Sequence, residues 1–221
     1  NLYRLKDLGA IGIADILGSG ISASFWFYMA SILEPEQYGE IHYFIGIAGI
    51  ASYVSLVGTQ NTITVYTAKN IKIQSTFYLI SFIVGVISAL VITFLFYRID
   101  TSILIFGYII NMLAIGELLG RKLYSSYSRY VLTQKILTLG LGVGFYYVFG
   151  IEGIIYALAL TYVIYTIRIY KVFNEFKIDF SLLKSRFGFI TNNYVMNLVA
   201  GLTGQIDKLI IAPLLGFVFV G

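Results

Sequence analysis

The side chains best suited to chemistry in this chain are single polar residues inside long apolar runs. Asp15 lies in the first run, and the last run carries the others, which are Asn193, Asn197, Asp207 and Lys208. A polar side chain within a membrane is costly, so it usually faces a cavity or pairs with another polar group. These five residues are therefore our candidates for lining a substrate or ion cavity.

Asp15 has two interpretations, and both stay open. At 1.5 Å per helical residue it would lie about 10 Å from the start of its run. A carboxylate there could face a cavity and carry a proton or a sodium ion. Alternatively, Asp15 could form an ion pair with Lys135, which lies at a similar depth in the fifth apolar run.

The last apolar run is unusually polar. Lys208 is the one basic residue within a run and away from its ends. Neighbouring helical residues point about 100° apart, so Asp207 cannot simply pair with Lys208, and at least one of them should face another helix. Asn193, Asn197 and Asp207 are spaced to lie near one face. That face predicts either a cavity-lining stripe or hydrogen bonding between helices.

Several kinds of chemistry are excluded or disfavoured. The chain has no cysteine and one histidine, His42, so neither thiolate chemistry nor a histidine-cluster metal site is available within it. The glycines from Gly140 to Gly144 do not form a nucleotide loop, because no Lys-Ser/Thr follows them. We expect no cofactor, no metal, no nucleic-acid partner and no enzymatic activity. Glu117, four residues before Arg121, predicts an ion pair at a helix end.

The composition indicates a membrane protein. Of the 221 residues, 58% are hydrophobic and 12% are charged, whereas soluble domains have about 45–50% and about 25%. A membrane-spanning helix needs about 20 mostly apolar residues. Seven runs qualify, and they predict an all-α, polytopic transmembrane helical bundle with spans at 8–33, 40–60, 76–97, 103–120, 131–149, 151–173 and 189–215.

The basic residues predict the orientation of these spans. Counted on alternate sides of seven spans, 13 of the 15 Lys and Arg residues fall on one side, which leaves Arg98 on the other and Lys208 within a span. Loops rich in Lys and Arg stay in the cytoplasm. We therefore expect a multi-pass plasma-membrane protein with a cytoplasmic N-terminus.

The chain divides into three predicted regions. Residues 1–173 form a six-helix transmembrane lobe. Residues 174–188 alternate apolar and basic side chains, which predicts a cytoplasmic helix lying in the headgroup layer. Residues 189–221 form the first helix of a truncated second lobe.

A weak internal repeat supports this division. The ends of the first and seventh spans share three identities at an offset of 182 residues: Ala30 with Ala212, Leu33 with Leu215, and Gly39 with Gly221. Parallel repeats of this kind build many transporters. Since the chain begins at Asn1 and stops directly after an apolar run, we expect it to be a fragment.

Two segments carry a family resemblance. The segment 31–39, SILEPEQYG, resembles the LGPEEYG signature after the first helix of polysaccharide-export flippases, with Glu34 where the family commonly has glycine. The segment 205–211, QIDKLII, resembles their seventh-helix pattern. These are the Wzx-type members of the multidrug/oligosaccharidyl-lipid/polysaccharide exporter superfamily.

The resemblance implies a fold and an activity. The fold would be two helical lobes forming a V around a central cavity, with this chain supplying the first lobe. The activity would be moving a polyprenyl-diphosphate-linked oligosaccharide from the inner to the outer leaflet by alternating access. The expected partners are that glycolipid, membrane lipids and a coupling H⁺ or Na⁺, with Lys208 as the candidate diphosphate contact.

Three alternatives remain open. A drug/cation antiporter of the same superfamily would share the fold but need an anionic cavity. A membrane-embedded polysaccharide polymerase or glycosyltransferase would need a large extramembrane loop or a paired acidic motif, and the short non-cytoplasmic loops offer neither. A non-transporting scaffold in a polysaccharide assembly complex is the third.

Overall fold

The computed structural model describes the backbone of residues 2–220 and the side chains of residue 9 and residues 11–220. Within these limits every regular element is helical, which confirms the all-α prediction. The helices are α1 (Leu2–Ile32), α2 (Pro35–Ser55), α3 (Gln60–Ala68), α4 (Gln74–Phe96), α5 (Ile99–Gly120), α6 (Tyr124–Phe149), α7 (Ile151–Thr161), α8 (Thr166–Glu175), α9 (Ser181–Ser185), α10 (Phe187–Thr203) and α11 (Ile206–Leu215). Short 3-10 turns cover Tyr162–Tyr165 and Phe217–Phe219.

Six helical segments of the described chain are long and apolar enough to cross a membrane. Two of them are composite: α7 and α8 run on through a 3-10 turn, and α10 with α11 forms the last segment. A seventh span results if α2 and α3, which meet at a bend of 43°, count as one. The apolar helices are thus those of a multi-pass membrane protein, and the seven-span prediction holds only with this bent pair included.

The start of α2 explains the signature segment in structural terms. Pro35 occupies the first turn of the helix, and Glu34 and Gln37 form a capping box. The Gln37 side-chain oxygen accepts a hydrogen bond from the Glu34 amide at 3.2 Å. Such caps satisfy backbone groups that the helix itself leaves unpaired. The segment therefore has a local structural role, whatever family it indicates.

The predicted span at 40–60 overlaps α2, but it is not one continuous helix, because the helix ends at Ser55 and a new one starts at Gln60. Thr59 caps the new helix, since its hydroxyl oxygen accepts a hydrogen bond of 3.2 Å from the Thr62 amide. At Gly58 a Cβ atom would come within 2.4 Å of the Phe77 side chain. Close packing against α4 therefore accompanies the break, and the hydroxyl cap stabilises the second helix.

Helix α5 lies at the centre of the bundle, packed against α2, α3, α4 and α7. Its last turns touch α3 almost backbone to backbone. A Cβ atom at Gly116 would lie 2.9 Å from the Gln60 carbonyl oxygen, and one at Gly120 would lie 2.5 Å from Thr67 Cβ. Small residues allow this approach in membrane helices, so α3 is held tightly against the core.

Helices α1 and α6 form a pair at the side of the bundle. Near one end, the hydroxyls of Tyr28 and Tyr147 share a hydrogen bond of 2.7 Å. About one turn away, the Phe25 ring occupies the space that a Cβ atom at Gly142 would need, at 2.5 Å. Much of the outward face of α1 is exposed.

A buried ion cluster joins α5 to α8. The predicted pair of Glu117 with Arg121 is confirmed, with 2.6 Å between Arg121 Nε and Glu117 Oε1. Arg168 adds a two-point contact that the sequence did not reveal, with hydrogen bonds of 2.6 Å to Oε1 and 3.0 Å to Oε2. The Glu117 side chain is only 1% exposed. Two guanidinium groups therefore compensate one buried carboxylate.

The connector at 174–188 differs from the predicted interfacial helix. Between the end of α8 at Glu175 and the start of α10 at Phe187, only Ser181–Ser185 is helical, and the chain before it is irregular. The Ser75 hydroxyl donates a hydrogen bond of 2.9 Å to the Phe176 carbonyl. Thr76 Oγ1 accepts a hydrogen bond of 2.8 Å from the Asp179 amide. These bonds fasten the connector across the start of α4. The three-region division of the chain stays a prediction.

The sidedness of the spans can be tested by cysteine labelling, because the natural chain contains no cysteine. We expect Glu36→Cys and Glu152→Cys to react with a membrane-impermeant maleimide outside intact cells. Lys72→Cys and Lys177→Cys should react only after permeabilisation. All four side chains are exposed. The reverse pattern would invert the orientation, and labelling of positions 36 and 72 from one side would show that α2 and α3 together do not cross the membrane.

The buried ion cluster should dominate stability at its end of the bundle. Glu117→Gln leaves Arg168 without its carboxylate, so we expect the free energy of unfolding to fall by about 3 kcal/mol or more. The matched control is Glu175→Gln, which removes the exposed partner of Arg121 and should cost about 0–1 kcal/mol. Denaturant unfolding of the detergent-solubilised chain measures the change in the free energy of unfolding for both variants. A loss in Glu117→Gln as small as that in Glu175→Gln would contradict a stabilising role for the buried cluster.

Candidate functional site

The predicted last span is two helices rather than one. Helix α10 ends at Thr203, α11 begins at Ile206, and Gly204 and Gln205 separate them. Both helices lie along α2. The Tyr194 hydroxyl donates to the Val54 carbonyl at 2.7 Å, and Gly201 admits the Tyr53 ring, which would lie 2.3 Å from a Cβ atom there.

The break brings Gln205 and Lys208 against two glycines of α2. From an ideal Cβ position at Gly46, Gln205 Oε1 is 3.4 Å away and Lys208 Cβ is 3.7 Å away. The Gln205 side chain also lies 3.7 Å from the corresponding position at Gly49. These are ordinary van der Waals distances, so the Gln205 and Lys208 side chains pack directly on the two glycines.

His42, one turn before Gly46, lies at the same place on α2. Its ring centroid is 4.4 Å from that of Trp26 and 4.5 Å from that of Tyr38. Lys208, which packs on Gly46, therefore lies about one helical turn from His42 along α2. We call His42, Gln205 and Lys208 the α2–α11 cluster. It consists of a cation, an imidazole and an amide, bordered by aromatic rings.

The cluster holds buried polar atoms without partners. Neither His42 Nε2 nor Gln205 Oε1 has a hydrogen bond within the described chain, and Asn197 Nδ2 on α10 is in the same situation. No carboxylate among the described side chains lies within ion-pair distance of Lys208. Buried polar groups are normally paired. A group of unpaired ones beside an uncompensated cation is typical of a binding site.

Among the predicted site residues, Lys208 alone belongs to this cluster. Lys208 is half-buried against α2, whereas Asp207 is exposed and accepts a hydrogen bond from the Lys208 amide at 2.9 Å. Asn193 and Asn197 are half-buried on α10, where the Asn193 amide donates to the Phe189 carbonyl at 2.9 Å. The predicted stripe requires one continuous helix through Asn193, Asn197 and Asp207. Because the helix breaks between Asn197 and Asp207, helical spacing does not place these three residues on one face.

Asp15 lies elsewhere in the bundle. Its carboxylate is exposed and accepts a hydrogen bond from the Tyr127 hydroxyl at 2.8 Å. The alternative of an ion pair with Lys135 is wrong within the described chain, because the Lys135 stem packs instead on Gly18. Asp15 precedes Trp26 by about 16 Å of helix. The structure therefore does not bring Asp15 to the cluster.

His42 is the functional candidate that sequence reasoning missed. It was considered only as a lone metal ligand, yet an ionisable residue at membrane depth is a functional candidate by default. No cluster of three metal-ligating side chains exists among the described residues. The sequence shows Gln205 as one more polar residue in the last run. Its position near His42 follows only from the packing of α11 on α2.

The chemistry available to the α2–α11 cluster is anion binding. Lys208 supplies a positive charge, and a protonated His42 would supply a second. The buried setting strengthens any such contact relative to water. The Trp26 and Tyr38 rings add flat apolar faces of the kind on which a sugar or another ring can stack.

Searches against protein-family models, curated proteins and solved structures found no match. The class defined by the fold is that of a multi-pass, all-α membrane protein. A more specific assignment therefore depends on the residues themselves.

The contact of α2 with α11 can be tested by disulfide trapping. Gly46→Cys combined with Lys208→Cys should give an intramolecular disulfide on mild oxidation, because the 3.7 Å separation of the Cβ positions is close to the usual value of about 3.8 Å. The control pair is Gly140→Cys with Lys208→Cys, since no atom approaches a Cβ position at Gly140. Intact mass of the chain, with and without reductant, reads the result. Failure of the first pair, or equal yield from both, would contradict this packing.

Proposed function

We propose that the chain is part of a membrane transporter that moves a polyprenyl-diphosphate-linked oligosaccharide from the inner to the outer leaflet. The observation that carries the proposal is the α2–α11 cluster, in which Lys208 has no carboxylate partner and His42 Nε2 has no hydrogen-bond partner among the described residues. The resemblance of segments 31–39 and 205–211 to polysaccharide-export flippases supports the same conclusion.

The chemistry of the glycolipid fits the cluster. A diphosphate carries negative charge that a lysine and a protonated imidazole can compensate, and charge-assisted hydrogen bonds are about twice as strong as neutral ones. The Gln205 amide can reach either a phosphate or a sugar hydroxyl. The lipid tail would remain in the bilayer beside the apolar outer faces of the helices. The tail needs no specific contact with the protein.

In this proposal the movement is alternating access without bond chemistry. The six spans up to residue 173 act as one lobe, the connector at 174–188 lies on the cytoplasmic side, and the last span belongs to a second lobe. A rocking motion would then open and close the contact of α11 with α2. The energy comes from a proton or sodium gradient or from the gradient of the substrate itself, because the sequence carries no nucleotide motif.

A drug/cation antiporter is the second candidate, and the exposed carboxylates favour it. Asp15 and Asp207 are both solvent- or lipid-accessible, and within the described chain neither forms an ion pair. Either carboxylate could hold a cationic substrate. The two candidates differ in the sign of the ligand charge, which makes them separable by a binding experiment.

Ligand binding at the cluster should change the fluorescence of Trp26, the single tryptophan of the chain, whose ring is 4.4 Å from His42. We expect a saturable change when the 221-residue chain in neutral-lipid nanodiscs is titrated with a polyprenyl-diphosphate oligosaccharide. Lys208→Ala should weaken this binding about tenfold or more, because it removes a charge-assisted contact.

Lys171→Ala is the matched control, since it removes an exposed cation on α8 and should leave binding unchanged. Tetraphenylphosphonium serves as the cationic counter-ligand. A Trp26 response to that cation, lost in Asp207→Asn or Asp15→Asn while the glycolipid has no effect, would favour the antiporter and overturn the flippase proposal.

A further inference from the structure

A second cationic site lies at the opposite end of α10 from the cluster. A pocket of about 330 Å³ opens between the end of α3 and the start of α10, and its lining includes Tyr66, Lys69, Ser185 and Arg186. It has no carboxylate in its lining. Two cations thus face one concave space.

Neither cation is compensated by a carboxylate. The ion pairs formed by the described residues include neither Lys69 nor Arg186. The Arg186 guanidinium lies over the Tyr66 ring, 5.4 Å from its centroid, which holds the side chain in place. Its Nε atom is buried and has no hydrogen-bond partner in the described chain. This donor is therefore unpaired on a residue that lines the pocket.

The start of α10 adds to the positive potential. Arg186 is the N-cap of this 17-residue helix, and its first amides have no intrahelical partners. Helix N-termini of this kind attract anions, phosphate above all. Gly188 in the first turn leaves open space, because no atom lies within 4 Å of an added Cβ.

The position of the pocket identifies where its ligand would come from. The last membrane-spanning segment begins at Phe187, so the pocket lies where apolar helix gives way to charged connector. Phospholipid headgroups occupy this level of a bilayer. We propose that this pocket binds a phosphate group at the membrane surface, carried by an anionic lipid and distinct from any substrate held at the α2–α11 cluster.

The test uses native mass spectrometry of the 221-residue chain in neutral detergent. The probes are dioctanoyl phosphatidylglycerol, dioctanoyl phosphatidylcholine and inorganic phosphate. We expect phosphatidylglycerol to be retained over phosphatidylcholine, and Lys69→Gln and Arg186→Gln each to weaken its retention about fivefold. Gly188→Asp, which places a carboxylate in the pocket, should abolish retention, although an acidic residue in a first helical turn favours folding.

Matched controls separate the pocket from general surface charge. Lys184→Gln removes an exposed cation outside the pocket lining, and Gly188→Ala adds a methyl group without charge. Both should retain phosphatidylglycerol as the natural chain does. Melting temperatures of all variants show whether each one folds.

The probes distinguish the two sources of phosphate. Retention of phosphatidylglycerol that depends on Arg186 supports a lipid headgroup as the ligand. Binding of inorganic phosphate alone, with the same dependence on Arg186 and Gly188, supports the phosphate site but assigns it to a free ion. Equal losses in Lys184→Gln and Arg186→Gln, or no preference for phosphatidylglycerol and no phosphate binding, would overturn the proposal.

Discussion

The constraint on which this structure depends is that a polar group within the membrane must find its partner inside the protein. Most polar side chains in the bundle obey it locally. The Ser52 and Ser55 hydroxyls donate to carbonyls of their own helix, and Thr138 does the same on α6. Glu117 obeys it over a long range, because Arg168 comes from a helix 51 residues further along the chain. The exceptions are then informative: of six buried side-chain atoms without a partner among the described residues, three, those of His42, Asn197 and Gln205, lie on α2, on α10 and at the α10–α11 break.

Glycine serves two distinct purposes under this constraint. On α5, Gly116 and Gly120 allow the backbone of α3 to approach so closely that no side chain fits between them. On α2, Gly46 and Gly49 leave a space that polar side chains from the α10–α11 region occupy. The first arrangement excludes any ligand. The second holds Gln205 and Lys208 against α2 with ordinary van der Waals contacts, so a ligand could displace them without disturbing the core.

The local features could be predicted from the sequence, and the tertiary ones could not. The all-α class and the Glu117–Arg121 pair follow from apolar run length and from spacing along one helix, and both are confirmed. The bend after Ser55 was missed because the composition stays apolar across it while Thr59 starts a new helix. The alternative pairing of Asp15 with Lys135 failed because equal depth on two helices does not fix rotation, and Tyr127 occupies the position of the expected partner. His42 was missed because its importance depends on which helix covers it.

The arrangement of charge links substrate binding to protonation in the flippase proposal. Lys208 faces α2, and Asp207 faces away from it, so an anion and not a cation would be stabilised beside His42. An anion there is better held when His42 is protonated, since Nε2 then donates a hydrogen bond that nothing in the described chain now accepts. By thermodynamic reciprocity the anion favours protonation to the same extent. Release of the anion would then favour release of the proton, so in this proposal the anion and the proton occupy the cluster together and leave it together.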